Sequence, residues 1–322
     1  MIIAPSEEQV QQTNRFRTYL NYLSSFLDFF GMERYNPEIY VKPVIESKAF
    51  QDIQGGRCPD IEKVGRILRN AWFTELQLSI SGQNEEFIFY SNHWAPVQLY
   101  YSAYLGLRAY FIVSGQAVSN EHASNLKAIG EEIQRRPSLF PLPLKVICVG
   151  NPEDNTTRYL NLPQHCSVSK ISPLSSSWRV SFWDSYGMFL RTTRIRQLEK
   201  LCDDWRSLNK RKRISPKVKK AYSANLSPTT LFHCLYRLRV RSNYADADSF
   251  LLSVQETEEA IRFHNALQTV GWFALLVLEL LIARYIGKKK FEQFVNDFRK
   301  HETQGLSDEL ICFRWDHLRN LW

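Results

Sequence analysis

The chain has 322 residues, 44% hydrophobic and 23% charged, a balance that excludes wholesale disorder and allows one large domain or two ordinary ones, each able to bury a core. Aromatic residues reach 13%, with 20 Phe, 15 Tyr and 8 Trp, so large flat side chains either build the core or stack on a partner. The formal net charge of +8 is uneven: Met188 to Arg241 holds 15 Lys and Arg against the acids Glu199, Asp203 and Asp204, leaving the rest net negative. Local basicity of this kind is the footprint of a polyanion-binding stretch rather than of a generally basic surface.

In chain order, Phe16, Tyr19, Leu20, Leu23, Phe26 and Leu27 recur at three-to-four spacing and predict a helix from about Glu7 to Met32. Pro37 and Pro43 mark an irregular stretch. Ile61, Val64, Ile67, Leu68 and Trp72 predict a second helix from Asp60 to about Gln77. LSISGQNEEFIFYS, residues 78–91, alternates on both sides of Gly82-Gln83-Asn84 and reads as a short β-hairpin. Tyr100, Ala103, Tyr104, Leu107, Tyr110 and Phe111 form one helical stripe within 93–115, stopped by Gly115. Ser119-Asn120 offers a cap for a further amphipathic helix, with Leu126, Ile129 and Ile133 inward, and the two should form an antiparallel hairpin.

The character changes at Pro137. Residues 137–187 hold six prolines and the β-like runs KVICVG, RYLNL and WRVSFW, which predict an insertion with some strand. RTTRIRQLEKLCDDWRSLNKRKRISPKVKK, residues 191–220, reads as a helix turning into a loop around Ser215-Pro216. Ser227-Pro228 would cap a helix carrying TTLFHCLYRLRVR. A long helix over about Val254–Ile286 ends at Gly287 and Lys288–Lys290. Its apolar run is interrupted by Glu279 and Arg284 before reaching the ~18 clean residues of a membrane span, which points to a core helix. The N-terminus shows no basic start followed by an apolar run, so no signal peptide is expected. The cysteines 58, 148, 166, 202, 234 and 312 form no CxxC pair and read as reduced thiols of a cytoplasmic protein.

The order of YYSAYLGLRAYF, HASNLKAIGEEI and, much later, RSNYADADSF followed by ETEEAIRFHNAL resembles the HEPN superfamily, a four-helix up-down domain of prokaryotic toxins, RNases and defence proteins. A weaker similarity, by length, is to the YaaC-like proteins. The resemblance implies a mainly α fold, a HEPN-like helical bundle interrupted by an irregular insertion with some β-strand. It divides the chain into an N-terminal helical extension (1–55), two HEPN-like parts (56–136 and 227–322) and the insertion with its basic segment (137–226).

HEPN ribonucleases use Arg followed by His at a spacing of four to six, without metal: His moves protons for 2′-OH attack and Arg stabilises the developing charge. Here Arg241 matches the arginine, Asn243 is shifted by one, and Asp246 stands where His belongs. A carboxylate cannot act as imidazole does near neutral pH and would repel phosphate. Only Arg158 and His165 satisfy the spacing elsewhere, across Pro163. The resemblance therefore implies a protein without the standard nuclease, with Arg241, Asn243 and Asp246 as the trio if a divergent ribonuclease survives.

No Gly-rich phosphate loop, HExxH or Cys/His zinc cluster appears, so no metal or cofactor is expected. The basic strip carries the leading expectation. Arg191, Arg194, Arg196, Arg206, Lys210, Arg211, Lys212, Arg213, Lys217, Lys219 and Lys220, followed by Arg237 and Arg239, would neutralise several phosphates, with Trp178, Trp183, Trp205 and Tyr222 as stacking platforms. The expected function is RNA or DNA binding by a cytoplasmic subunit of a prokaryotic defence assembly, not a membrane protein, and the resemblance implies a homodimer through the HEPN-like helices. A divergent HEPN ribonuclease and a plain protein-interaction scaffold are the alternatives.

Overall fold

Ser6 opens helix α1 (Glu7–Phe30) with a capping box, its hydroxyl accepting from Gln9 N while the Gln9 side chain accepts from Ser6 N. The computed structural model describes residues 6–31, 36–56, 58–154, 156–168, 181–245, 247–251, 253, 256–302 and 305–322. The stretch expected to be irregular at Pro37 and Pro43 is instead helix α2 (Pro37–Ile45), with α3 (Lys48–Gln51) after it. Pro37 takes the first helical turn, where its missing N–H loses nothing. Helix α4 (Ile61–Ile80) runs through half of the predicted hairpin, and α5 (Glu85–Ser91) takes the other half. Asn84 does not turn a hairpin; its Oδ1 accepts from Phe87 N and caps α5.

Helices α6 (Ala95–Val113) and α7 (His122–Arg135) form as expected, but not as an antiparallel hairpin. Tyr100 meets His122, Tyr104 meets Asn125, and Tyr110 meets Glu132, so residue numbers rise together and the helices run in the same direction. From Tyr100 to Val113 α6 rises roughly 20 Å, and the linker 114–121 reaches up to about 26 Å when extended, enough to carry the chain back to its start.

The predicted insertion yields a short antiparallel ribbon, β1 (Ile147–Val149) with β2 (Arg158–Leu160). Thr229 exchanges two backbone hydrogen bonds of 2.9 Å with Cys148 on the ribbon's other edge. Helix α8 (Phe182–Asn209) is capped by Ser181, and α9 (Pro216–Asn225) by Ser215. The FW of WRVSFW therefore starts a helix rather than ending a strand. Leu139, Phe140, Leu144, Val146, Ile147, Tyr186, Phe189 and Leu190 from this region join the same hydrophobic core as the rest of the chain.

Helix α10 (Leu231–Val240) begins at Thr230, three residues later than Ser227 suggested, because Thr229 is used by the ribbon. It passes through a π-helical turn, Arg241–Ala245, into α11 (Ala247–Leu251). Helix α12 (Thr257–Ile286) is buried on all sides, followed by α13 (Lys288–His301), a second π turn (Asp308–Cys312) and α14 (Phe313–Leu318). The fold is mainly α, with α6 packed between α4, α10 and α12, and α1 laid against α8 and α12. Among described helices, α12 alone is long and apolar enough to cross a bilayer; 94% of its most apolar window is buried, so the core covers that surface.

Two glycines let α6 and α12 approach closely. A Cβ on Gly106 would stand 2.9 Å from Leu275 Cδ2, and one on Gly271 would stand 3.1 Å from Leu99 Cδ1. Gly106→Val is expected to cost about 1–3 kcal/mol through overpacking, read as a lower urea midpoint at unchanged m-value.

Buried polar groups hold the helices in register. His233 Nδ1 accepts from Thr230 N at 3.2 Å, and burial, with Arg194 nearby, pushes its pKa down to about 3. The unfolded ring takes up its proton near 6.5, so the neutral-His contribution is complete above that pH and is lost as pH falls toward 3. His233→Gln keeps the capping-box geometry and removes the titration. Urea titrations from pH 7 to 4 are expected to show a shallower acid limb for the variant than for wild type.

Candidate nucleic-acid interface

The basic residues fall into three groups. At the far end of α8, Lys210 adopts a left-handed conformation with φ of 50°, turning the chain through Arg211–Ile214 into Ser215, whose hydroxyl accepts from Val218 N at 3.3 Å. Lys210, Arg211, Lys212, Arg213, Lys217 and Lys220 are exposed, and none forms an ion pair with a described residue. Leu208, 83% exposed, stands beside them. Lys217 lies in the first turn of α9, where the N–H dipoles are already positive. Cations there oppose the helix and favour a negatively charged ligand. Lys219 is neutralised by Glu153 at 2.6 Å, Arg206 by Asp203 at 2.5 Å, and Arg196 by Glu199 at 2.6 Å.

The second group faces inward. Arg194 is 1% exposed; its guanidinium donates to Gly150 O, Ser227 O, Leu226 O and Thr229 Oγ1. It clamps α8 to the ribbon and to the segment 226–229, and is not presented to any polyanion. Arg191 donates to Pro152 O, and Arg237 to the hydroxyls of Thr192 and Thr193. Of the expected stacking residues, Trp183 packs edge-on against Phe29 and Phe182, Trp205 and Tyr222 are half-buried, and Trp178 lies outside the described residues.

The third group is a cluster of His, Arg and Tyr side chains that single-residue motifs did not reveal. Arg239 donates to Tyr101 Oη at 3.1 Å and lies 5.5 Å from the ring centroids of both Tyr101 and Tyr244. His122, half-buried, bonds through Nδ1 to the Tyr100 hydroxyl at 2.6 Å. Its ring sits 4.5 Å from Tyr104 and 5.6 Å from Tyr236. Burial, then the charges of Arg239 and Arg108, push the His122 pKa down, so the ring is neutral at pH 7. Burial pushes the Tyr100 phenol up, so it keeps its proton. Tyr100 and Tyr104 are buried beneath this cluster, so the groups a ligand could reach are His122, Arg239, the half-buried Tyr101 and Tyr236 and the exposed Tyr244, an aromatic face for a base and a guanidinium for a phosphate.

Between Thr193 and Lys210, α8 rises roughly 25 Å, so Arg237 and the exposed tip do not form one continuous surface at short range. Arg241 and Asn243 are half-buried in the π turn that ends α10, and Asp246 lies outside the described residues. His122 shares a face with Leu126, Ile129 and Ile133 at helical spacing, which is the signal that could have tied it to the arginines. Cys234 is no nucleophile: burial pushes its thiol up to about 12, and its sulfur only accepts from Thr193 Oγ1. Among the described residues, no group of His, Cys, Asp and Glu could hold a metal ion. Neither a protein-family model nor any curated protein or solved structure matches the chain.

Proposed function

We propose that the protein binds nucleic acid, RNA or DNA, through the turn between α8 and α9. One observation carries this reading: Lys210, Arg211, Lys212, Arg213, Lys217 and Lys220 stand exposed on one helical hairpin without acidic partners. Cations that a fold needs are paired or buried, as Arg194 is; these form no ion pair with any described residue. The wider setting, a cytoplasmic, homodimeric HEPN-like subunit of a prokaryotic defence assembly, rests on the sequence resemblance. Purified protein is expected to carry a high 260/280 absorbance ratio that salt removes, and to bind labelled RNA or DNA with an affinity that falls steeply with NaCl. Protein free of nucleic acid and unable to shift any oligonucleotide would end this reading.

The ribonuclease alternative draws on one observation, the neutral His122 ring close to Arg239. A base of lowered pKa beside a fixed cation is the arrangement 2′-OH attack needs. RNA incubated with protein in EDTA tests it. Cleavage lost in both His122→Ala and Arg239→Ala would support the His122–Arg239 cluster as its centre; cleavage lost in Arg241→Ala alone would assign it to the π turn.

A further inference from the structure

Far from the basic hairpin, a cavity of about 350 Å³ opens between α4, α12 and the second π turn. Glu75, Leu78 and Ser79 line one wall, Asn265, Gln268, Thr269, Gly271 and Trp272 another, and Glu309 and Leu310 the rim. Among the described residues, no lysine, arginine or histidine lines it. Its floor is the edge of a buried ion cluster. Arg314, fully buried, donates to both Glu75 oxygens at 2.5 and 2.8 Å and to both Glu279 oxygens at 2.9 and 2.7 Å. Trp72 Nε1 adds a third donor to Glu279 at 2.7 Å. Two carboxylates thus share one guanidinium, and the cluster has one negative charge too many for a dry interior.

Glu75 is the member that reaches the cavity: its side chain keeps 6% exposure, against 1% for Glu279 and 0% for Arg314. Burial pushes its carboxyl up against the pull of Arg314, with the Glu279 charge adding to the rise. The surplus charge is met either by a proton on Glu75 or by a cation delivered through the cavity. Trp272 supplies the second requirement of an organic cation. It lines the cavity at 7% exposure, and its indole Nε1 donates to no described residue. The Asn265 carboxamide likewise has no hydrogen-bond partner among the described residues.

We propose that this cavity is a binding site for a small organic cation, an amine with an apolar or aromatic body, whose ammonium group sits toward Glu75 and Glu309 and whose body lies along Trp272. An aromatic wall attracts a desolvated cation through its ring face, and unpaired amide and indole groups serve an acceptor on the same ligand. The site is independent of the nucleic-acid reading.

Tryptamine, phenethylamine and agmatine are the probes, with tryptophol as the neutral counterpart and indole-3-propionate as the anionic one. Isothermal titration and the shift in thermal midpoint read binding to the full chain. The amines are expected to bind and raise the midpoint, at least tenfold more tightly than tryptophol, with no binding of the acid. Glu309→Gln and Trp272→Phe, both at the cavity wall and outside the Arg314 cluster, are expected to weaken amine binding at least threefold each, with wild-type circular dichroism. No binding by any of the three amines at millimolar concentration, or equal affinity for tryptamine and tryptophol, overturns the proposal. So does unchanged amine affinity in both variants.

Discussion

Arg314→Met is expected to lower the unfolding free energy by about 3–5 kcal/mol at pH 7.5, because it strands two carboxylates in the interior. In wild type the Glu75 and Glu279 carboxyls are both hydrogen-bonded to one fully buried guanidinium. Its removal leaves one hydrogen-bond donor, Trp72 Nε1, for four oxygens. In the variant both carboxyls are held protonated inside the fold, so their folded pKa values rise above the unfolded one. The stability that a raised carboxyl contributes is present at low pH and lost as pH rises through its folded pKa. The deficit of Arg314→Met should therefore shrink on going from pH 7.5 to pH 5, measured by urea unfolding with matched m-values. A simple cavity left by a lost side chain would show no such pH dependence. Combining Arg314→Met with Glu75→Gln and Glu279→Gln should recover part of the loss, since the buried charges disappear together. A triple variant as unstable as the sum of the singles would mean that packing, not charge, sets the cost.

This cluster also shows where the sequence was legible and where it was not. The helices read from Phe16 to Leu27, from Tyr100 to Phe111 and from Val270 to Leu281 formed because a 3.6-residue apolar period suits a helix buried on one or more faces. Residues 78–91 misled because LSIS and FIFYS alternate as a half-buried strand does, while Asn84 supplied a cap that only a helix uses. Proline at the first turn of α2 read as a break for the same local reason. Glu279 was visible as a charge inside an apolar helix, and burial requires a partner for it. Its partners Glu75 and Arg314 lie 204 positions before it and 35 after it, and nothing local joins them. The basic strip was legible as composition. Which of its members face water was not, because Arg194 and Arg211 look alike in sequence and differ only in that Gly150, Leu226, Ser227 and Thr229 surround the first.

That difference makes the second large prediction specific. Changing Lys210, Arg211, Lys212 and Arg213 together to Gln is expected to reduce the slope of log affinity against log salt by about 3, at ~0.7–0.9 per lost phosphate contact. At ~0.1 M salt this corresponds to an affinity loss of roughly 10³-fold, read by fluorescence anisotropy with labelled oligonucleotides. Stability should stay within about 0.5 kcal/mol of wild type, because the four side chains are exposed and hold no partner among the described residues. Arg194→Gln should do the reverse. It removes a guanidinium that satisfies three buried carbonyls and a hydroxyl, so folding weakens by several kcal/mol while the salt slope of the folded fraction holds. If the quadruple variant keeps the wild-type slope, the phosphates are not met at the α8–α9 turn. Arg239→Gln then decides between the His122–Arg239 cluster, where loss of affinity on this substitution would place the contact, and a protein that does not bind nucleic acid through any of these residues.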